Sequence, residues 1–166
     1  MRKSAIISEC GLYRYELRRE WDADLPPMLM VMLNPSTADA DKDDPTIRRC
    51  ISRAMAEGCG SLIVVNLGAF RATSPKDWMA ADDPLGPKNY SHVHNAVLDC
   101  ESKNGIIVAA WGAHGLFGGA GAFWRCEWAI QNKRIYCLGT TKNDQPKHPL
   151  YVSSATPLVE FTRGLA

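Results

Sequence analysis

Met28-Leu29-Met30-Val31-Met32-Leu33-Asn34-Pro35-Ser36-Thr37-Ala38-Asp39 is the stretch on which the fold turns. Its unbroken apolar run reads as a short strand buried on both faces. Asn34-Pro35 ends it, because proline has no N–H for a ladder and the residue before proline is biased away from helix. A buried strand that stops at a cluster of polar side chains is where an open α/β sheet places its ligand.

Outward from this strand the pattern recurs. Residues 61–66 (Ser-Leu-Ile-Val-Val-Asn) form a second, β-branched strand that also ends on asparagine. Residues 105–110 form a third, running into Trp111-Gly112-Ala113-His114, and 134–138 a fourth, followed by the polar run 139–149. Helices fall between them. One starts at Pro45 or Thr46 and runs to about Glu57, with Ile47, Cys50, Ile51, Ala54 and Met55 at helical spacing, Asp44 as N-cap, and Gly58 and Gly60 as stops. The others cover 88–102 and roughly 120–132, and a short terminal helix is expected over 157–163. Upstream, residues 5–21 predict a hairpin turning at Glu9-Cys10-Gly11, with Leu12, Tyr13, Tyr15 and Leu17 interleaved with Arg14, Glu16 and Arg18. Residues 67–87 read as one long irregular loop, a length that is usually functional. A hairpin followed by β-α-β-α-β-α-β predicts a single α/β domain over residues 1–166. Its expected form is a three-layer α/β/α sandwich with a central, mostly parallel four-stranded sheet and the hairpin packed on it.

Composition sets the bounds. With 166 residues the chain suffices for one domain with a substantial core, and 46% apolar with 22% charged residues is an ordinary globular balance. A net charge of +1 leaves no global footprint for nucleic acid, although one groove can be basic in a neutral molecule. Six scattered cysteines without a C-x-x-C pair, three of them in expected helices, fit reduced, buried thiols better than a disulfide framework. No leader-like segment opens the chain and no apolar run approaches membrane-spanning length. The expectation is a soluble, cytoplasmic protein.

In a parallel sheet the loops after the four strands converge on one edge. That would gather Asn34, Asn66, Arg71, His114 and His148 in one cleft. Taken singly, such Asn and Thr residues would only cap helices or form Asx turns; four such loops together point to a site. The acidic run Asp39, Asp41, Asp43, Asp44 fails EF-hand spacing, since the sixth position is Asp44 and the twelfth is Cys50. A solvated loop that caps the next helix is the simpler reading, with one Mg²⁺ beside a substrate phosphate as its rival. His92 and His94 point to different sides of a helix, so no zinc site is expected, nor any cofactor. Gly118-Gly119-Ala120-Gly121 lacks both phosphate-loop signatures.

Particular motifs carry a resemblance to a bacterial and phage domain family of unknown function, numbered 1643. They are Leu33-Asn34-Pro35-Ser36-Thr37-Ala38-Asp39, Asp43-Asp44-Pro45-Thr46-x-Arg48-Arg49, Asn66-Leu67-x-Ala69-Phe70-Arg71-Ala72-Thr73, Asp83-Pro84-x-Gly86-Pro87, Ala110-Trp111-Gly112 and His148-Pro149-Leu150-Tyr151. This resemblance covers most of the chain and brings no activity. More distantly, the order Asn34-Pro35, Asn66…Arg71-Ala72-Thr73, His148-Pro149 resembles the uracil-DNA glycosylase superfamily, especially its mismatch-specific branch. That resemblance implies that Asn34 orients the attacking water and that His148 donates to the base O2 as charge develops on the leaving base, the base having been flipped out of its stack. The chain departs from that pattern where Met32 and Ser36 replace glycines and where Leu150-Tyr151 follows His148-Pro149.

The leading expectation is therefore a glycosylase-like α/β domain that binds a nucleobase, a nucleotide or DNA, with N-glycosidic hydrolysis as its chemistry. Asn34 and His148 are the catalytic candidates. Pro35, Ser36, Asp43, Asp44, Arg48, Asn66, Arg71, Thr73, Trp111, His114 and Tyr151 are the binding candidates, with Arg48 and Arg49 clamping phosphate beside Asn34. A non-catalytic module for modified nucleic acid or a protein partner, marked by an exposed Trp111 or Tyr151, is the rival from another class. A phosphohydrolase using Asp39 to Asp44 and Mg²⁺ is the third.

Overall fold

All six side chains of β3 (Pro27–Met32) are buried, because strands flank it on both edges and helices cover both faces. The structure, a computed structural model, describes residues 1–161. Its strands are β1 (Arg2–Ile7), β2 (Arg14–Glu20), β3, β4 (Ser61–Asn66), β5 (Ile106–Ala109), β6 (Tyr136–Cys137) and β7 (Val159–Glu160). Among the described residues there are four α-helices, α1 (Pro45–Ala56), α2 (Pro75–Met79), α3 (Asn89–Ser102) and α4 (Ala120–Ile130). One seven-stranded mixed sheet has the order β1-β2-β4-β3-β5-β6-β7. β4, β3, β5 and β6 run parallel, while β1, β2 and β7 are antiparallel to their neighbours.

The pleat sorts the core. Leu29 and Val31 join Ile63, Val65, Ile107 and Ala109 under α3 and α4. Met28, Met30 and Met32 join Leu62, Val64 and Val108 under α1. Full burial of each larger side chain contributes roughly 1.5–3 kcal/mol, so the central strands carry the fold and the loops at their ends are left for other work.

α1 begins as its sequence predicts. Asp44 Oδ1 accepts from Ile47 N at 2.8 Å and Pro45 occupies the first turn. At the other end Gly58 adopts φ +75°, and Cys59 N closes on Ala54 O at 2.9 Å. Asp44→Ala is expected to cost about 1 kcal/mol, read as a lower urea midpoint at unchanged m.

Four expectations need correction. The sheet has seven strands rather than four, because the hairpin is built into it: β2 pairs with β4 instead of packing on the sheet. Residues 67–87 are not structureless. α2 forms there, with Pro75 in its first turn and Ser74 Oγ accepting from Asp77 N at 3.2 Å. The expected fourth strand shrinks to β6, and the segment expected as a terminal helix contributes β7, which pairs antiparallel with β6. The β-branched Val159 sits opposite Cys137 at that open edge, and residues 162–163 of the expected helix lie outside the described residues. The fourth concerns the thiols. All six are free and Cys50, Cys59, Cys100 and Cys137 are buried, but Cys126 lies on the exposed side of α4 and Cys10 on the hairpin turn. Among the described residues no helix is long and apolar enough to cross a membrane.

The alternation expected in β2 also breaks. The register slips between Ile6 and Ile7, which pair with Glu16 and Arg14, so Tyr15 is an extra residue on β2. A bulge of this kind re-aims the side chains on one side of it. Strict alternation would give Arg14 the face of Arg18, which pairs with Asp99 of α3 at 2.9 Å. Arg14 instead donates to Ala38 O at 2.7 Å, on the α1 face that also buries Leu17.

A candidate site at the carboxyl edge of the sheet

The parallel strands deliver their carboxyl ends to one edge, and a cleft of about 710 Å³ opens there. That volume falls within the usual range for small-molecule sites. Asn34 and Ser36 reach it from the end of β3, Asp44 and Thr46 from the start of α1, and Asn66 and Thr73 from the end of β4. Trp111 and His114 follow β5, and Thr141, Lys147, His148 and Tyr151 close the far side. Because β2 is antiparallel to β4, its first residue, Arg14, starts at this same edge and also lines the cleft.

Asn34 is held in one orientation. Its Nδ2 donates to Ala72 O at 2.8 Å and to Pro35 O at 3.3 Å, while Ala72 N donates to Pro35 O at 2.9 Å. Carbonyls only accept, so the amide nitrogen must face them and Oδ1 is left as the acceptor. Asn66 is the reverse case. Its main-chain carbonyl accepts from Asn89 Nδ2 at 2.9 Å, while its own Nδ2 is buried with no protein partner. A buried unmet donor costs about 1–3 kcal/mol.

His148 is a fixed donor. Leu150 N donates to its Nδ1 at 3.3 Å, so in the neutral ring the proton resides on Nε2. Burial pushes its pKa below 6.5 against the opposing charge of Asp44, which keeps the ring neutral at pH 7. Tyr151 lies 5.5 Å away, centroid to centroid, and is 84% exposed. Trp111 is buried instead: its Nε1 donates to Gln145 Oε1 at 2.9 Å and Phe161 packs edge-on at 5.6 Å. It is a wall of the cleft, not a platform. His114 and Thr73 stand exposed at the rim.

Four expected binding residues fall outside the lining. Pro35 is buried beneath the loop, and Asp43 is held by Arg19 Nε at 2.7 Å and Lys3 Nζ at 2.9 Å. Arg48 turns back to Asp43 O at 2.6 Å, and Arg71 reaches Gly11 O at 3.4 Å. Arg49 bonds Val152 O, so the expected arginine clamp beside Asn34 does not form. Two more carboxylates of the loop are engaged, Asp39 Oδ1 accepting from Asp41 N and Lys42 N at 2.9 Å each and Asp44 Oδ1 from Ile47 N at 2.8 Å. Among the described residues no three His, Cys, Asp or Glu side chains gather as a metal site. His92 and His94 stack separately, on Tyr15 and Tyr90.

Sequence reading missed Arg14, Thr46, Thr141 and Lys147. Thr46 was within reach, as the residue following the Asp44-Pro45 helix start, and Lys147 adjoins His148. Arg14 was not, because only the bulge aims it inward.

A family model described as "Protein of unknown function (DUF1643)" matches residues 14–150. The chain belongs to that family. No curated protein matches it, and no solved structure does. The DUF1643 match opens at Arg14 and closes at Leu150, and both residues line the cleft. Every motif segment except residues 83–87 contributes to the lining. That exception is a brace: Pro84 O accepts from Trp78 Nε1 at 2.8 Å, and Gly86 adopts φ +87° against Tyr13.

Proposed function

We propose that the cleft binds a nucleobase or nucleotide and hydrolyses its N-glycosidic bond, within a sandwich of the uracil-DNA glycosylase type. One observation carries this reading: a side chain fixed as acceptor, Asn34, and one fixed as neutral donor, His148, line the same base-sized cleft. A water held by Asn34 Oδ1 attacks the anomeric carbon. The C–N bond breaks with its electron pair on the base, His148 Nε2–H stabilises the charge at a base carbonyl oxygen, and the water's proton passes to the leaving base. Preorganised donors of this kind are commonly worth 10²–10³ in rate. Asn66 Nδ2 supplies a further donor for a base acceptor.

The test is release of free base from single- and double-stranded oligonucleotides carrying uracil, mismatched or hypermodified pyrimidines, and from the matching mononucleotides. Asn34→Ala and His148→Ala are each expected to lower release about 10²–10³-fold while the protein stays folded. No release from any of these substrates by folded wild type sinks the hydrolytic reading. The exposure of Tyr151 favours a second reading, a non-catalytic nucleic-acid module. In that case Tyr151→Ala weakens oligonucleotide binding although no base is released. A Mg²⁺-assisted phosphohydrolase built on residues 39–44 draws no support from a loop in which Asp39, Asp43 and Asp44 already accept protein donors.

A further inference from the structure

We infer that Arg14 forms a phosphate-monoester subsite in the cleft, so that the ligand is a free mononucleotide rather than a base flipped out of a polynucleotide. This deepens the nucleobase reading and rests on it for the identity of the rest of the ligand. Arg14 is 3% exposed and yet lines the cleft. Among the described residues its guanidinium makes one hydrogen bond, from Nη1 to Ala38 O, and Nε is buried without a partner. No carboxylate of the described residues forms an ion pair with it, in contrast to Arg19, whose Nε meets Asp43 at 2.7 Å.

A cation removed from water without a paired anion is costly, and folds retain one where a ligand supplies the counter-charge. Burial lowers the pKa of Arg14 to about 10, with Asp44 and Asp39 opposing that shift and Arg71 and Arg19 adding to it, so it remains a cation at pH 7. Close by, Ser36 and Thr37 precede Ala38, and Thr46 lies in the first turn of α1. Hydroxyls can donate to an oxyanion, while the α1 N-terminus itself is already capped by Asp44. The end group is a monoester because a diester must continue from both of its oxygens, whereas Arg14 is 3% exposed and leaves little room for a chain to pass. The outer arginines that would track a polynucleotide, Arg48, Arg49 and Arg71, bond main-chain carbonyls.

Calorimetric titration of the full chain with uridine-type nucleosides, their 5′-monophosphates, the methyl esters of those monophosphates and short oligonucleotides tests this. Wild type is expected to bind a monophosphate about tenfold to a hundredfold more tightly than its nucleoside. Arg14→Met is expected to erase that ratio, chiefly by weakening the monophosphate, with nucleoside affinity titrated alongside as the reference. Should Arg14→Met not fold, wild type alone decides, because inorganic phosphate should raise its melting temperature and acetate at equal ionic strength should not. Equal binding of nucleoside and monophosphate, survival of the ratio in Arg14→Met, or tighter binding of the methyl ester or an oligonucleotide overturns the subsite. A phosphate preference without base release leaves the subsite standing and removes only the hydrolytic step.

Discussion

Replacing Asp43 by alanine is expected to destabilise the protein by about 3–5 kcal/mol. The Arg19 side chain is fully buried, and three of its five contacts hold residues 39–43 down on β2. Nε meets Asp43 at 2.7 Å, Nη2 donates to Asp39 O at 2.6 Å and Lys42 O at 3.3 Å, and Nη1 donates to Arg18 O at 2.8 Å and Ser4 O at 3.4 Å. Without the carboxylate a guanidinium stays in low dielectric facing only carbonyl dipoles. Asp43→Asn keeps the acceptor and loses the charge, so it should fall between wild type and Asp43→Ala. Replacing both partners with apolar residues should not restore stability, because the Asp39 and Arg18 carbonyls would lose their donor. Burial alone would raise the Asp43 carboxyl, but the hydrogen bonds and charges of Lys3 and Arg19 outweigh it and hold its pKa below 3.8. The stabilisation is then complete above the ordinary carboxylate value and is lost as pH falls through the depressed one. Wild type and Asp43→Asn should therefore converge in strong acid. Guanidinium midpoints at neutral and acid pH check both points. A loss below 1 kcal/mol on Asp43→Ala would mean that the loop opens and lets water reach Arg19.

The difference between Arg14 and Arg19 shows where sequence reading succeeds and where it stops. Local signals were sufficient for β3, β4 and α1: a continuous apolar run, a proline stop and an Asp-Pro helix start each have one low-energy solution. Convergence of the strand ends then gathered Asn34, Asn66, His114 and His148 around one cleft, though not Arg71, which reaches Gly11 O instead. The rest depended on non-local partners. The bulge at Tyr15 arises from pairing with β1, and it decides which face Arg14 takes. The arginines of α1 carried the right charge for a phosphate clamp, yet Val152 and Asp43 offered them nearer carbonyls. At 157–161 an open edge beside β6 decided the outcome, and nothing local to that segment announced it.

Trp78→Ala is expected to cost about 3–5 kcal/mol and to loosen Asn34 as well. Trp78 is fully buried although it stands in the segment that read as loop, and it plugs the carboxyl edge of the sheet beneath that segment. Its ring meets Phe117 edge-on at 5.2 Å, and its Nε1 donates to Pro84 O at 2.8 Å. The fit is close on the remaining side, where a methyl group on Gly68 would lie 2.4 Å from Nε1. The pocket is shaped to an indole, so the neighbours can fill little of the space left by alanine. Trp78→Phe separates the contributions: packing is mostly kept, Pro84 O retains Phe70 N at 3.3 Å but loses the indole, and about 0.5–1.5 kcal/mol should go. The functional consequence runs through α2. Trp78 anchors this helix a few residues after Ala72, whose carbonyl holds the Asn34 amide at 2.8 Å. If the anchor matters to the site, Trp78→Phe at a temperature where it remains folded should weaken ligand binding, and a more mobile Asn34 amide should be visible by NMR. If only the denaturation midpoint moves, with binding and the amide signal intact, the Ala72–Asn34 contact is self-sufficient and Trp78 serves stability alone.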